Sequence, residues 1–317
     1  MALGASDLLQ SVVTGLLQGG FFALAAVGLS LIFGVQKILN VAHGAFIILA
    51  AFITIQFSIV LSPLLHVDPL FSIFLDVPIM AGVGAVAYYA VVYKIENRGF
   101  EAPLLATFGL SILLEYAVSN GLGPIPAIDP SRGTGAQAQN QVYSSTSWQL
   151  GPLFLNEANV IAFMIAILVV PAIQIFLSRT YYGRAIRATS QDWEAAEFSG
   201  INTRTTRLMS FVIGSATTGL AGGLFAFTTS VTPGSGDVVL LPIILEVIIL
   251  GGVGSIIGTL VGGFFVGLIM NVASLVVLEL PSQYGLHADM AGLITFLIFI
   301  IVLMARPTGL FGKGGAS

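Results

Sequence analysis

Arg179–Arg207, reading RTYYGRAIRATSQDWEAAEFSGINTRTTR, is a charged island between two long apolar runs. It holds five of the chain's eleven Lys and Arg residues. Such charges are costly in hydrocarbon, so an island of them belongs in water while its flanks suit lipid. Its pattern predicts a short helix over about 190–199, roughly 15 Å long at 1.5 Å per residue. Thr189 with Asp192 three residues on fits an N-cap and an acidic N3 partner, and Gly200 followed by Asn202 fits a stop. Trp193, Ala196 and Gly200 fall on one face, a small knob with an aromatic edge suited to another protein's groove. The plainer alternative is a loop helix that only links two spans.

Outward from the island the chain is apolar throughout. Hydrophobic residues make up 56% and charged residues 8%, against roughly 25% charged in an ordinary soluble domain. Apolar runs of about 20 residues recur from end to end, the length that crosses roughly 30 Å of hydrocarbon. These helices have no polar face to turn to water, which excludes a soluble domain. An all-α polytopic integral membrane protein is the fold class expected, folded as a single domain over 1–317. The expected spans lie at about 8–35, 41–61, 70–93, 102–120, 158–178, 208–230, 239–257, 258–279 and 290–305. The first run lacks a basic leader segment and reads as a retained span.

Nine crossings with the N-terminus outside put Lys37, Lys94, Arg98, Arg179, Arg184, Arg187, Arg204, Arg207, Arg306 and Lys313 on the inner side and only Arg132 outside. Basic residues favour the cytoplasmic side, so this map places the island 179–207 and the C-terminus in the cytoplasm. The longest outer loop, 121–157, begins with Gly/Pro-rich sequence, and its Tyr143, Trp148 and Leu150 suit short strands on the membrane surface. It is either a passive connection or a platform for an external protein.

Thirty-seven glycines are many for a chain of this length. Gly254, Gly258 and Gly262, then Gly263 and Gly267, are spaced by four, the pattern that lets helix backbones approach in lipid. Gly44, Gly251 and Gly252 stand at helix ends and mark broken helices, a device that places backbone dipoles near a substrate. A glycine-interrupted span near 15–52 and another near 214–267 are compatible with an internal repeat.

Ionisable groups at membrane depth are functional candidates by default. Glu246, Glu115 and Asp76 are such groups, and each must face protein or water. His43 beside Asn40 opens the second span, and a structural hydrogen bond suits it as well as a place on a path. With no second His, Cys or Asp at metal spacing, no metal site is expected. Cysteine is absent, and G-x-x-x-x-G-K-[ST], G-x-S-x-G and H-E-x-x-H do not occur. Neither ATP hydrolysis nor another enzymatic activity is expected of this chain, and no nucleic-acid partner.

Four stretches, taken together, resemble a known family: the permease subunits of ABC importers for branched-chain amino acids, and within them the first of the two permease types. They are Asn40–Gly44 (NVAHG); Gly183–Ala188 (GRAIRA), with Asp192, Glu194–Ala196 and Gly200–Asn202; Leu250–Ser255 (LGGVGS); and Arg306–Gly312 (RPTGLFG). The resemblance implies a prokaryotic inner-membrane subunit working with a second permease, two cytoplasmic ATPase subunits that use ATP and Mg, and an external solute-binding protein. It makes the island's helix a coupling helix that seats in the ATPase, through Arg184, Asp192, Trp193, Glu194, Ala195, Ala196 and Gly200. Asn40, His43, Gly44, Glu246, Gly251 and Gly252 become candidates for the translocation path. Urea and short-amide permeases share these motifs and stand as the alternative cargo. A stand-alone secondary transporter or channel would account for the spans and glycines but not for the basic island.

Overall fold

In the computed structural model, residues 4–96, 98–120, 143, 146–229, 231–279, 290–306 and 309–311 are described. The first helix, α1 (Ala5–Gln36), ends at Lys37, whose φ of 56° turns the chain back on itself. After a six-residue break, α2 (His43–Leu65) begins. Next come α3 (Ser72–Ala87), carried on by a π turn (Tyr88–Val92) into the short α4 (Tyr93–Ile95), and then α5 (Glu101–Asn120). Strands β1 (Ser147–Leu150) and β2 (Leu153–Asn156) form an antiparallel hairpin, pairing Ser147 with Asn156 and Leu150 with Leu153. The helices α6 (Glu157–Arg179), α7 (Tyr181–Gln191), α8 (Trp193–Phe198) and α9 (Thr203–Thr228) follow. A second break and a π turn (Gly236–Leu240) lead into α10 (Leu241–Gly251), and α11 (Ile256–Glu279) and α12 (Met290–Ala305) complete the bundle.

Among the described residues six stretches are long and apolar enough to cross a membrane: Ala5–Gln36, Pro69–Ile95, Glu101–Asn120, Glu157–Arg179, Thr203–Thr228 and Ile256–Val277. Two shorter apolar helices accompany them, His43–Ile59 and Ala291–Ala305. Most expected spans therefore appear within a few residues of their expected ends. The expected span 239–257 does not. Its α-helix is 11 residues long and stops at Gly251, roughly 16 Å and half the hydrocarbon thickness. Gly252, at φ 95°, and Gly254, at φ 77°, take conformations that side-chain-bearing residues rarely adopt, and the chain turns sharply into α11.

Burial separates the spans into two kinds. In α1 and α9, 78% and 72% of the apolar window is buried, against 22–33% in the other long spans, so these two form the centre. They cross where a Cβ on Gly28 would lie 2.5 Å from the Gly214 carbonyl oxygen, and one on Gly214 2.8 Å from that of Gly28. Around them the packing repeats: α1 lies antiparallel to α11, and α9 antiparallel to α3. Along α1, Gly15 and Gly19 meet Gly267 and Gly263, while Gly258 and Gly262 turn to α10. The expected four-residue glycine spacing thus serves two different helix contacts, each too close for a methyl group. Leu105, Phe108 and Leu113 on α5, Met164 and Leu168 on α6, and Ile301 and Met304 on α12 are exposed. Large apolar residues on outer helices are what a lipid-facing belt requires.

The two ends of the bundle differ in chemistry. At one end Glu96 bonds Arg207 at 3.1 Å, and Gln36 Nε2 donates to the Arg207 carbonyl at 3.0 Å. Leu310 N donates to the Leu250 carbonyl at 2.7 Å, tying the C-terminal segment to the same end. At the other end Gln10 exchanges two hydrogen bonds with Phe154 of the β-hairpin, at 2.8 and 2.9 Å. Nearby, the Tyr143 hydroxyl donates to Asp68 and its ring packs edge-on to Phe227. Partial burial and that carboxylate raise the Tyr143 phenol above its ordinary pKa. The strands expected around Trp148 and Leu150 form, with Tyr143 outside them; the rest of loop 121–157 up to Thr146, along with His287, Gly312 and Lys313, lies outside the described residues.

Candidate functional site

At the basic end the expected helix 190–199 is instead two helices meeting at Asp192. Thr189 is not a cap: it lies inside α7, donating to the Ala185 carbonyl at 3.0 Å and sharing a 2.9 Å bond with the Thr206 hydroxyl. Asp192 takes the N-cap position, its Oδ1 accepting from the amides of Glu194 and Ala195 at 3.0 Å each. Helix α8 closes as expected at Gly200, whose φ of 83° lets Ile201 N reach the Ala196 carbonyl at 3.0 Å. Asn202 is not part of that stop; it caps α9 by accepting from Thr205 N.

The outward face of α8 also differs from expectation. Ala196 is buried and holds α8 to the protein, so it offers nothing to a partner. Asp192, Trp193, Glu194, Ala195 and Gly200 are exposed, as is Arg184, which donates to the Arg179 carbonyl at the end of α6. The most prominent side chain is Phe198, at 92% exposure, which the pattern of Trp193 and Ala196 did not single out. Helix α8 thus carries its exposed Phe on a short, capped helix. Behind it Trp193 lies under the Arg207 guanidinium, 5.5 Å from ring to Cζ. Arg207 in turn pairs with Glu96, which accepts from the Tyr88 hydroxyl at 3.1 Å. Arg204 sits 4.2 Å over the Tyr93 ring. The knob is thereby joined through α9 to the far end of the α3–α4 run.

The expected path residues fall in three places. Asn40, His43 and Gly44 stay together where α2 begins inside the bundle. His43 Nε2 bonds the Ala25 carbonyl at 2.9 Å, and Ala25 is roughly 16 Å along α1 from Gln36, so α2 starts at membrane depth. Asn40 is fully buried and neither atom of its amide finds a protein partner among the described residues. Gly44 lies backbone to backbone against Gly236, so the two broken helices meet here, as a Cβ on either would overlap the other. Beside this contact Ser111 donates to Asp237, and Glu115 stands close to Gly234. Asp76 lies elsewhere, fully buried and bonded to the Thr54 hydroxyl, a structural contact between α2 and α3.

Gly251 and Gly252 are not beside these residues. They form the turn between α10 and α11, where Gly251 packs on Gly258 and Gly309 packs on Ile249 and Gly252. Here they close a helical hairpin and pack against the C-terminal segment. Glu246 stands apart from both groups, on the wall of a groove of about 730 Å³ between α1, the π turn with α10, α11 and α12. Gln18, Asn271, Ser274 and Thr295 supply its other polar groups. Gln18 and Asn271 could have been noticed as polar interruptions of apolar spans, but only the fold brings them together, 253 positions apart in sequence.

A bundle of long apolar helices with two helix breaks inside it, and a largely apolar groove carrying a few polar side chains, is the architecture of a multi-pass membrane protein. The family described as branched-chain amino acid transport system, permease component, matches residues 11–303, and the chain belongs to it. Its relatives include the high-affinity branched-chain amino acid transport system permease protein BraD of Pseudomonas aeruginosa, 28% identical over 96% of both chains. The probable branched-chain amino acid transport permease protein LivH of Methanocaldococcus jannaschii is 27% identical over 98% of this chain and 93% of its own. LivH of Escherichia coli strain K12 is 26% identical over 96% of both. The chain is thus a plasma-membrane permease component, a transport subunit.

Proposed function

We propose that this chain carries branched-chain amino acids inward as one half of an ATP-driven permease. It would cross the membrane nine times with its N-terminus outside, α10 and its π turn serving as a short, broken crossing. A second permease, identical or different, would complete the pore. Two cytoplasmic ATPase subunits would bind ATP and Mg, this chain holding no cofactor, and an external binding protein would deliver the amino acid at the β-hairpin end. The gathering of basic residues at the α8 end supports this orientation.

The observation that carries the reading is the exposed helix Trp193–Phe198 in a chain that matches the family from 11 to 303. A transport subunit without a nucleotide motif needs a surface through which a partner supplies energy. Closure of the ATPase pair on ATP would pull α8, and the Trp193–Arg207–Glu96 contacts would pass that movement to α9 and the α3–α4 run. ATP can drive this change only by favouring one permease state over the other through contacts at α8.

The test is uptake into proteoliposomes. Leucine, isoleucine or valine should accumulate only when the ATPase, ATP and a loaded binding protein are all present. Solute movement by this chain without an ATPase would overturn the reading, and transport of urea in place of leucine would overturn its cargo. A reporter fused after Arg207 should be cytoplasmic and one near Gln139 external; the same side for both would refute nine crossings.

A further inference from the structure

We propose that the groove beside Glu246 is a subsite for a zwitterionic α-amino acid, Glu246 receiving its ammonium group and Gln18 its carboxylate. The inference rests on the cargo reading above and adds the groups that recognise the two charged ends. Glu246 is 7% exposed and makes no hydrogen bond or ion pair with any described residue. An ionised carboxylate in that setting is costly unless a cation meets it, and neither Lys nor Arg lines the groove.

The same groove also holds the complementary chemistry. Asn271 Nδ2 donates to Gln18 Oε1 at 2.7 Å and to the Gly267 carbonyl at 2.9 Å. That pair of bonds fixes the Gln18 amide and leaves its Nε2 hydrogens without an acceptor among the described residues. The Ser274 hydroxyl is a further donor in the groove. A carboxylate requires such donors and an ammonium requires an acceptor; the groove presents both. Ile243, Pro242, Met270 and Phe296 line the same groove and give apolar surface for an aliphatic side chain. The volume lies within the roughly 300–1,000 Å³ of small-molecule sites.

Depth fits as well. Gln18 lies within the membrane-crossing stretch of α1, roughly 27 Å along the helix from Gln36. Urea or a neutral amide brings no cation to Glu246, so the same groove discriminates against the alternative cargoes.

The decisive experiment uses the complete complex in proteoliposomes, with saturating leucine-loaded binding protein so that its own affinity does not limit the rate. Glu246→Gln should lower leucine uptake per ATP hydrolysed at least tenfold, with assembly and binding-protein-stimulated ATPase activity intact. Gln18→Ala should act in the same direction, and Glu246→Asp should keep more than half of the wild-type ratio. A ratio that falls less than tenfold in Glu246→Gln overturns the subsite. Loss of assembly in that variant also overturns it and assigns Glu246 to subunit packing. If the wild-type complex moves urea and not leucine, the cargo reading has failed; if it moves leucine and Glu246→Gln moves it equally well, the subsite alone has failed.

Discussion

Phe198→Ala isolates the docking element, because at 92% exposure the ring supports nothing within this chain. Folding and insertion should be untouched, and any effect must come from a partner. An aromatic side chain buries about 150 Å² or more when it enters a pocket. At about 25 cal/mol per Å² that burial is worth roughly 3.5 kcal/mol. The alanine retains part of the contact, and ordering the ring costs about 0.5–1 kcal/mol. A net loss of about 2–3 kcal/mol remains, a weakening of Kd by roughly 30–150-fold. The assay is equilibrium binding of purified ATPase subunit to the permease in nanodiscs, followed by ATP-driven uptake. Phe198→Tyr should stay within about fivefold of wild type, since it keeps the ring. A Kd for Phe198→Ala within threefold of wild type would refute the assignment of α8 as the grip, whatever happened to uptake.

Two further perturbations read other parts of the structure. Gly44→Ala should lower the thermal midpoint and the monodisperse yield, since its Cβ overlaps Gly236, an overpacking cost of about 1–3 kcal/mol. Gly82→Ala, with nothing within 4 Å of its Cβ, should be neutral or stabilising by up to about 1 kcal/mol; equal behaviour of the two variants would contradict the helix crossing. Glu96→Gln strands the Arg207 guanidinium in a pair only 14% and 6% exposed, and should cost about 3 kcal/mol. Glu96→Gln with Arg207→Gln should recover part of that loss in thermal unfolding. If the double variant is no better than the sum of the two single variants, the pair is not coupled.

The spans were legible because a membrane helix carries its signal in every residue: nearly the whole length from Glu157 to Arg179 is apolar, and its ends are charged. Gly251 and Gly252 read as a helix end and the helix does stop there; only the bounds 239–257 overrun, because hydropathy continues through Gly252–Ser255 whereas the turn is decided by two positive φ angles. The expected cap at Thr189 failed for a different reason. Thr189 with Asp192 three residues on fits a helix start, but Thr206, 17 positions away, takes up the Thr189 hydroxyl and the capping falls to Asp192. Phe198 was missed because an exposed aromatic beside Trp193 looks like core until burial is known. Of the path, Asn40–Gly44 and Glu246 were visible as polar or small residues in apolar sequence. Gln18 with Asn271, and Ser111 with Asp237, depend on long-range pairing that no local pattern encodes.

The bond between Gln18 and Asn271 also has a consequence for how the protein is made. Its two halves emerge from the ribosome 253 positions apart, roughly 10–50 s at 5–20 residues per second. Through that interval the first helix must wait in the bilayer with an unsatisfied amide and the smooth glycine face of Gly15 and Gly19 uncovered. Insertion and assembly are therefore separate events for this chain, and its most central helix is a guest in lipid until nearly the last of its neighbours arrives.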